Sequence, residues 1–339
     1  MKFDVAVGNP PYQADSSSLL RKSIYNLFMD KTYRIADITV LITPAKFLFN
    51  AGTTPTDWNK KMLNDKHLCV PFFETYSYLV FPHLEITGGV AVTLYDNNAD
   101  FGAITVYSPF AELNSLCDKA MRKQTGVLSD SIYPAMKFDT ECLLAEHPEY
   151  RTLLRERRLS TNIFTRLSVF TEKPQSEDDS LVYGFYKAQR AVRYMPTRYF
   201  EQEHQNLYKW KVLLPKAYGH GVVGGENAIN VIGVPFVAEP KQGYTHTYIS
   251  VGSFDTEQEA QNCLKYLKTR FVRALVGILK VTQNNNKEVW KLVPVQDFTR
   301  HSDIDWSVPV SEIDRQLYRK YGLTEKEIAF LDIHLTAMQ

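Results

Sequence analysis

The chain has 339 residues, 44% apolar and 23% charged, ordinary globular values that exclude a disordered, collagen-like or disulfide-scaffold protein. Lys and Arg number 39 against 38 Asp and Glu, so the formal charge is +1 and any polyanion contact has to come from local clustering. Cys69, Cys117, Cys142 and Cys263 lie far apart with no Cys-x-x-Cys pair, and no apolar run approaches the roughly 20 residues of a membrane span, which excludes a zinc ribbon, a secreted disulfide framework and membrane insertion.

The start, Met1-Lys2-Phe3-Asp4, reads as neither a signal nor a transit peptide, so a reduced, cytoplasmic setting is expected. Phe3 to Val7 reads as a strand running straight into Gly8-Asn9-Pro10-Pro11-Tyr12. A helix is expected from about Ser18 to Ile35, with Leu20, Ile24, Leu27, Phe28 and Ile35 as its apolar side. Ile38 to Thr43 is a continuous apolar run, the pattern of a strand buried on both faces, and Pro44 ends it. A short helical start at Ala45–Phe49, a weak helix at Asp57–Asn64 and strands at Leu68–Tyr78 and Gly88–Tyr95 follow. Strands alternating with helices predict an α/β layer with a largely parallel sheet over residues 1–115. A mixed α and β region is expected over 116–254, with an exposed loop at Thr171–Ser180. A C-terminal helical region is expected over 255–339. It opens on a cap at Asp255 or Thr256 with Glu259 closing a capping box, runs as one helix to Lys280, and ends in a helix over Thr324–Leu335.

Asn9-Pro10-Pro11-Tyr12 is the sharpest chemical signal, a tetrapeptide expected by chance in about one chain in a thousand of this length. The bland reading is a proline turn that closes a strand, with Tyr12 capping the core. The chemical reading starts from the two prolines, which lock the backbone and remove its donors. The Pro10 carbonyl is then a fixed acceptor beside the Asn9 amide oxygen, and two fixed acceptors suit an exocyclic amino group with two hydrogens. Tyr12 supplies a ring on which a base can stack. Acceptors drawing on an amino nitrogen keep its lone pair localised and help it turn tetrahedral as it attacks a methyl group.

On these residues the sequence resembles the N6-adenine DNA methyltransferases of restriction–modification systems. Phe3 to Tyr12 looks like their catalytic strand and motif, and Ile42 to Leu48 resembles the next strand with its proline-containing exit. Val80-Phe81-Pro82 with Ile86-Thr87-Gly88-Gly89-Val90 resembles the later motif whose aromatic residue packs on the target base. Lys209–Lys216, Val293–Thr299 and Leu317–Leu323 look like pieces of large type II modification subunits. The resemblance implies part of a class I methyltransferase, Rossmann-like α/β sheet, followed by a mixed α+β target-recognition domain and C-terminal helices. It implies double-stranded DNA as substrate, S-adenosylmethionine as donor, and an adenine swung out of the helix because N6 is unreachable inside the stack. Asn9 and the Pro10 carbonyl would then hold the amino group, Pro11 would stiffen the turn, and Tyr12 would stack on the base. Phe81 would touch its other side or edge, although a Phe beside a Pro after an apolar strand is as readily core.

Such enzymes also carry a glycine-rich donor motif, and the resemblance implies that this half is missing here, leaving Asn9 at the edge of the donor site. Gly219-His220-Gly221-Val222-Val223-Gly224 fits Gly-x-Gly-x-x-Gly but lacks the strand before and the helix after that a dinucleotide fingerprint needs. A strand Phe3–Val7 without that half would be an exposed apolar edge, so a second polypeptide or a homo-oligomer is expected to complete it, unless the chain is a decayed, non-catalytic DNA-binding specificity subunit. Between Phe185 and His220 the basic residues Lys187, Arg190, Arg193, Arg198, Lys209, Lys211 and Lys216 alternate with aromatics including Trp210, the composition of a DNA contact, or of a solvated face over an aromatic core. Glu239-Pro240-Lys241 mimics a nuclease Glu-x-Lys, but Pro240 is awkward between ligands and no partner Asp is placed. The eight His residues form no metal-binding spacing, so no metal is expected.

Overall fold

The computed structural model describes residues 3–13, 22–50, 52–83, 85–86, 88–219, 223–225, 227–280 and 283–338. The chain divides into two compact units, Met1–Asn114 and Ser115–Gln339. No described helix is long and apolar enough to cross a membrane.

The first unit follows the predicted order closely. It contains β1 (Phe3–Gly8), α1 (Tyr25–Ile35), β2 (Ala36–Pro44), a 3-10 turn at Ala45–Phe49, α2 (Thr56–Leu63), β3 (Leu68–Glu74) and, after a second 3-10 turn at Ser77–Leu79, β4 (Val90–Asp96). Their sheet runs β1-β2-β4-β3. β1 and β2 are parallel, with Val5 opposite Ile38 and Gly8 opposite Leu41, whereas β4 is antiparallel to both β2 and β3. The largely parallel sheet expected from the sequence is therefore corrected to a mixed one. The reason is the 75–89 connection, which turns β3 back into β4 without a crossover helix; apolar runs alone do not reveal strand direction.

The apolar side of α1 is also corrected. Tyr25, Met29 and Tyr33, spaced by four, form the buried stripe with Asn26, while Leu27, Phe28 and Ile35 are exposed. Leu20 lies outside the described residues. The large rings fill the space over the sheet, where Tyr25 and Phe47 meet Trp58 and where Tyr33 stacks on Tyr95 at 3.9 Å. Trp58 and Lys61 both donate to Asp30, at 2.9 Å each, and tie α2 to α1.

The second unit continues from α3 (Ala111–Lys123) through β5 (Ile132–Tyr133), α4 (Thr140–Glu146), α5 (Ile163–Arg166), β6 (Asp179–Tyr186), β7 (Gln189–Pro196), β8 (Trp210–Pro215), β9 (Phe236–Ala238), β10 (Gly243–Tyr244) and β11 (Tyr248–Phe254). Two sheets form, β10-β6-β7 and β5-β11-β8-β9, with Met136, Phe138, Phe164, Phe200 and Tyr244 in the core they share. Then come α6 (Glu257–Lys268), α7 (Arg270–Leu279), α8 (Val310–Tyr321) and α9 (Glu325–His334). Stretches 116–254 and 255–339, expected as separate regions, fall in one unit because α6 packs on β8, β9 and β11.

The single helix expected from Asp255 to Lys280 is broken at Thr269, whose extended backbone caps both halves. Its hydroxyl donates to the Tyr266 carbonyl at 2.7 Å and accepts from Val272 N–H at 3.2 Å. Buried Asp314 accepts from the N–H groups of Arg270 and Phe271 at 3.1 Å each, so the fresh helix start is fully satisfied. Hydrophobic spacing continues through the break, which is why it is invisible to periodicity. At α9 a capping box is complete: Thr324 accepts from Glu327 N–H, and Glu327 accepts from Thr324 N–H at 2.6 Å.

Glu327 also ties α9 to α3, accepting from Lys119 at 2.6 and 2.8 Å with its side chain 6% exposed. Burial pushes this carboxyl up, but hydrogen bonds from Lys119, Ser115 and Thr324 outweigh it and hold it at about 2. Its stabilising contribution is therefore present above the ordinary carboxylate range and fades as pH falls from about 4.5 toward 2. Glu327→Gln is expected to cost about 2 kcal/mol at neutral pH and to flatten the acid limb of the stability curve in chemical denaturation between neutral and acidic pH. An unchanged acid limb would remove Glu327 from that role.

Candidate functional site

The Asn9–Tyr12 motif leaves the carboxyl end of β1, the end at which open α/β sheets bind ligands. Gly8 makes the last ladder pair, and then Pro10 and Pro11 offer no N–H with which the strand could continue. Asn9 is exposed and Pro10 buried, so the asparagine amide projects from a fixed base. Tyr12 is half-buried against the core of Met29, Phe47 and Leu48, and its backbone carbonyl accepts from Ile24 N–H at 3.1 Å, which pins the loop to the start of α1. Its hydroxyl is buried without a partner of normal geometry among the described residues. Burial raises the Tyr12 phenol, and the neighbouring Asn9 side chain partly offsets this.

Two further pieces are brought to the same end of the sheet. Pro44 closes β2, and Ala45 N–H donates to Gly89 O at 3.0 Å, joining the proline exit to the Gly88-Gly89 turn. Only glycine suits position 89: its φ is +77°, and a Cβ there would sit 2.4 Å from the Glu74 carbonyl oxygen. Phe81 lies in the turn between β3 and β4, half-buried, its N–H held by Ser77 O at 2.8 Å. It makes no aromatic pair with Tyr12 among the described residues.

The basic residues of the second unit separate into distinct environments. β6 and β7 form a hairpin whose two turn residues, Lys187 and Ala188, both take positive φ, 48° and 63°, a conformation usually given to Asn-Gly. Tyr186 carries the Arg193 guanidinium 4.5 Å above its ring, with Lys187 at 5.3 Å. Arg193 also pairs with Glu172 at 3.3 Å, and Lys209 pairs with Asp255. Trp210, at the start of β8, is half-buried. Lys187 and Arg190 are exposed on the hairpin.

Lys211 is corrected: it does not face solvent at all. It is 0% exposed, and its ammonium donates to the carbonyls of Asn206, Lys209 and Glu239 at 2.9, 2.9 and 3.0 Å. Burial pushes it down to about 7. β8 is buried from Lys211 to Pro215, so the lysine is enclosed with its strand, which its basic neighbours in sequence disguise.

A cavity of about 550 Å³ opens beside the end of β8, lined among others by Phe185, Arg190, Lys216, His246, Tyr248 and Asn286. It gathers Arg190 and Lys216 from the predicted cluster and adds His246, which no sequence signal marks because histidine spacing speaks only to metals. The glycine-rich stretch Gly219–Gly224 lies partly outside the described residues, and no helix follows it among those described between 223 and 235. The Glu239 carbonyl serves Lys211, and Lys241 N–H donates to Leu207 O at 2.7 Å, both structural contacts. No group of three or more His, Cys, Asp or Glu side chains among the described residues is arranged to hold a metal ion.

Comparison with known proteins points one way for the first unit. Residues 1–81 match the Eco57I restriction-modification methylase family. A protein of Mycoplasma pneumoniae described as an uncharacterized adenine-specific methylase is 30% identical over 105 residues, 29% of this chain and 24% of that protein. The chain thus spans about a quarter of that relative's length. The solved structure of the type IIG restriction endonuclease BpuSI aligns over 97% of this chain and 52% of its own, at 10% identity and a TM-score of 0.35.

Lys211→Met should lower stability by about 2–4 kcal/mol, because three carbonyls, one buried and two partly buried, lose their donor together. A denaturation midpoint equal to that of the parent protein would show that the ammonium does not hold them.

Proposed function

We propose that this chain carries the target-base half of a site-specific DNA adenine-N6 methyltransferase of a restriction–modification system. The observation that carries the reading is the Asn9–Tyr12 motif at the carboxyl end of β1, with its prolines, its projecting amide and its ring anchored to the core. The match of residues 1–81 to a methylase family and the adenine-specific methylase likeness support it.

In this reading duplex DNA is the substrate and the target adenine leaves the stack, at an unpairing cost of a few kcal/mol. The Asn9 amide oxygen and the Pro10 carbonyl accept the two N6 hydrogens, and the Tyr12 ring supplies the stacking surface. Both acceptors are set before the base arrives, so little reorganisation accompanies nitrogen's change from planar to tetrahedral. Phe81 lies on the turn leading to Gly89 and would guard another side of the base.

The donor expected of such enzymes is S-adenosylmethionine, which supplies an electrophilic methyl group. The described residues do not fit it: beyond β1 they place no strand and no glycine-rich loop opening a helix, so Asn9 marks only the rim of a donor site. Phe3, Val5 and Val7, 49%, 53% and 76% exposed along β1, support completion by further polypeptide, such as a partner chain or an oligomer. Covering such side chains stabilises by about 1.5–3 kcal/mol each. The same open edge favours a second reading, a DNA-binding specificity subunit without methylation of its own.

The test is mass spectrometry of nucleosides from host DNA after expression of the chain, alone and with the genes flanking its own. N6-methyladenine that falls at least a hundredfold with Asn9→Ala and with Tyr12→Ala supports the proposal. Methylcytosine in its place would overturn the adenine assignment. Sequence-specific binding with no methylated base under any condition would turn the assignment to the specificity subunit.

A further inference from the structure

The cavity beside β8 has an electrostatic peculiarity. It gathers Arg190 from the start of β7, Lys216 just past β8 and His246 from the turn between β10 and β11, and no carboxylate is among the described residues that line it. Lys216 and His246 are in direct contact, the ammonium donating to Nε2 of the imidazole. That bond holds His246 neutral on the side facing the lysine. Burial, then Lys216 and Arg158, lower His246, with Glu156 opposing; burial, then Arg158, lower Lys216. Arg158 and Glu156 pair with each other at 2.9 Å, so the charge left over around the imidazole is positive.

The walls are fixed by backbone rather than by long side chains. Lys216 N–H donates to Thr247 O at 2.9 Å, and Asn285 N–H donates to Lys216 O at 2.7 Å. His246 N–H donates to Leu159 O at 2.7 Å, and Asn285 Nδ2 donates to Pro215 O at 3.0 Å. Four separate stretches of chain are thereby locked around an ammonium and a neutral imidazole held against each other. Protonating that imidazole beside the ammonium is unfavourable unless something negative enters to share their protons.

We propose that this cavity is a phosphate seat for the DNA backbone, in which Lys216, His246 and Arg190 take one phosphodiester and Phe185 with Tyr248 flank its sugar. The proposal rests on the DNA reading above and assigns it a specific anchoring point in the second unit. An entering phosphate gives Lys216 a new acceptor and releases His246 to take up a proton. Both then donate to the anion, and the guanidinium of Arg190 closes over it. One proton is taken from solvent for each phosphate bound, so binding tightens as pH falls. The charged groups facing His246, namely Lys216, Arg158, Glu156 and Arg190, set how far.

The experiment uses the whole chain and a mixed-sequence duplex, with binding read by fluorescence anisotropy across salt and between about pH 8 and pH 6. Calorimetry in buffers of differing ionisation heat counts protons. Lys216→Gln and His246→Gln should each weaken binding about tenfold, and Lys216→Gln should reduce the salt slope by about one. Proton uptake should vanish in His246→Gln. Because either replacement can perturb folding, Arg190→Ala on the exposed hairpin is the third variant, expected to weaken binding similarly. A parent-like affinity, slope and proton count in all three would overturn the phosphate seat while leaving DNA binding standing. If the parent protein binds no duplex, the DNA reading itself falls. Inorganic phosphate titrated against the His246 imidazole signals then decides whether the cavity takes a free anion, and silence there overturns the seat as well.

Discussion

Parallel pairing of β1 with β2 is the constraint from which the first unit follows. It places Gly8 beside Leu41, so that the chain leaves both strands at the same end, Asn9-Pro10 from one and Pro44-Ala45 from the other. The antiparallel β4 then returns its Val90 start to that same end, opposite Pro44, and the Gly89 carbonyl receives the Ala45 N–H. Three loops carrying the candidate chemistry are gathered by one register. A slip of a single residue would turn every β2 side chain to the opposite face and bury the wrong half of the strand.

The second unit is organised by where its positive charges go. Lys211 is spent inside, serving three carbonyls that connect β8 to the loops before and after it. Lys209 and Arg193 are answered by Asp255 and Glu172. Of the predicted cluster, what is left pointing outward sits on the β6–β7 hairpin and in the adjoining cavity. The net charge of +1 thus conceals a division between structural and presented cations. Exposed ion pairs contribute little to stability, so this sorting bears on binding more than on folding.

Much of the architecture is legible from local patterns. The strand before Asn9, the end of β2 at Pro44 and the Thr256 cap are written in neighbouring residues, and they form as expected. The features that escape such patterns depend on distant partners. Thr269 breaks a helix because buried Asp314 waits to receive the new amide groups, and nothing near Thr269 announces that. The outward placing of Leu27 and Phe28 reflects larger rings claiming the sheet, a competition that a hydrophobicity pattern does not rank. Lys211 and His246 escape sequence reading for one reason: side-chain direction at strand ends and turns is set by pairing across the sheet, not by composition.

The pairing of β5 with β11 carries a consequence for synthesis. Ile132 forms its ladder bonds with Val251, and β10 joins β6 with Gly243 opposite Val182. The sheet of β6 and β7 cannot close until the ribosome has passed β10, nor that of β5 until it has passed β11, whereas the β6–β7 hairpin forms as soon as its turn emerges. At ordinary elongation rates the early strand therefore waits on the order of ten seconds with its edge open. Throughout that interval the nascent chain is a substrate for chaperones, and slow codons between β5 and β11 would lengthen its exposure.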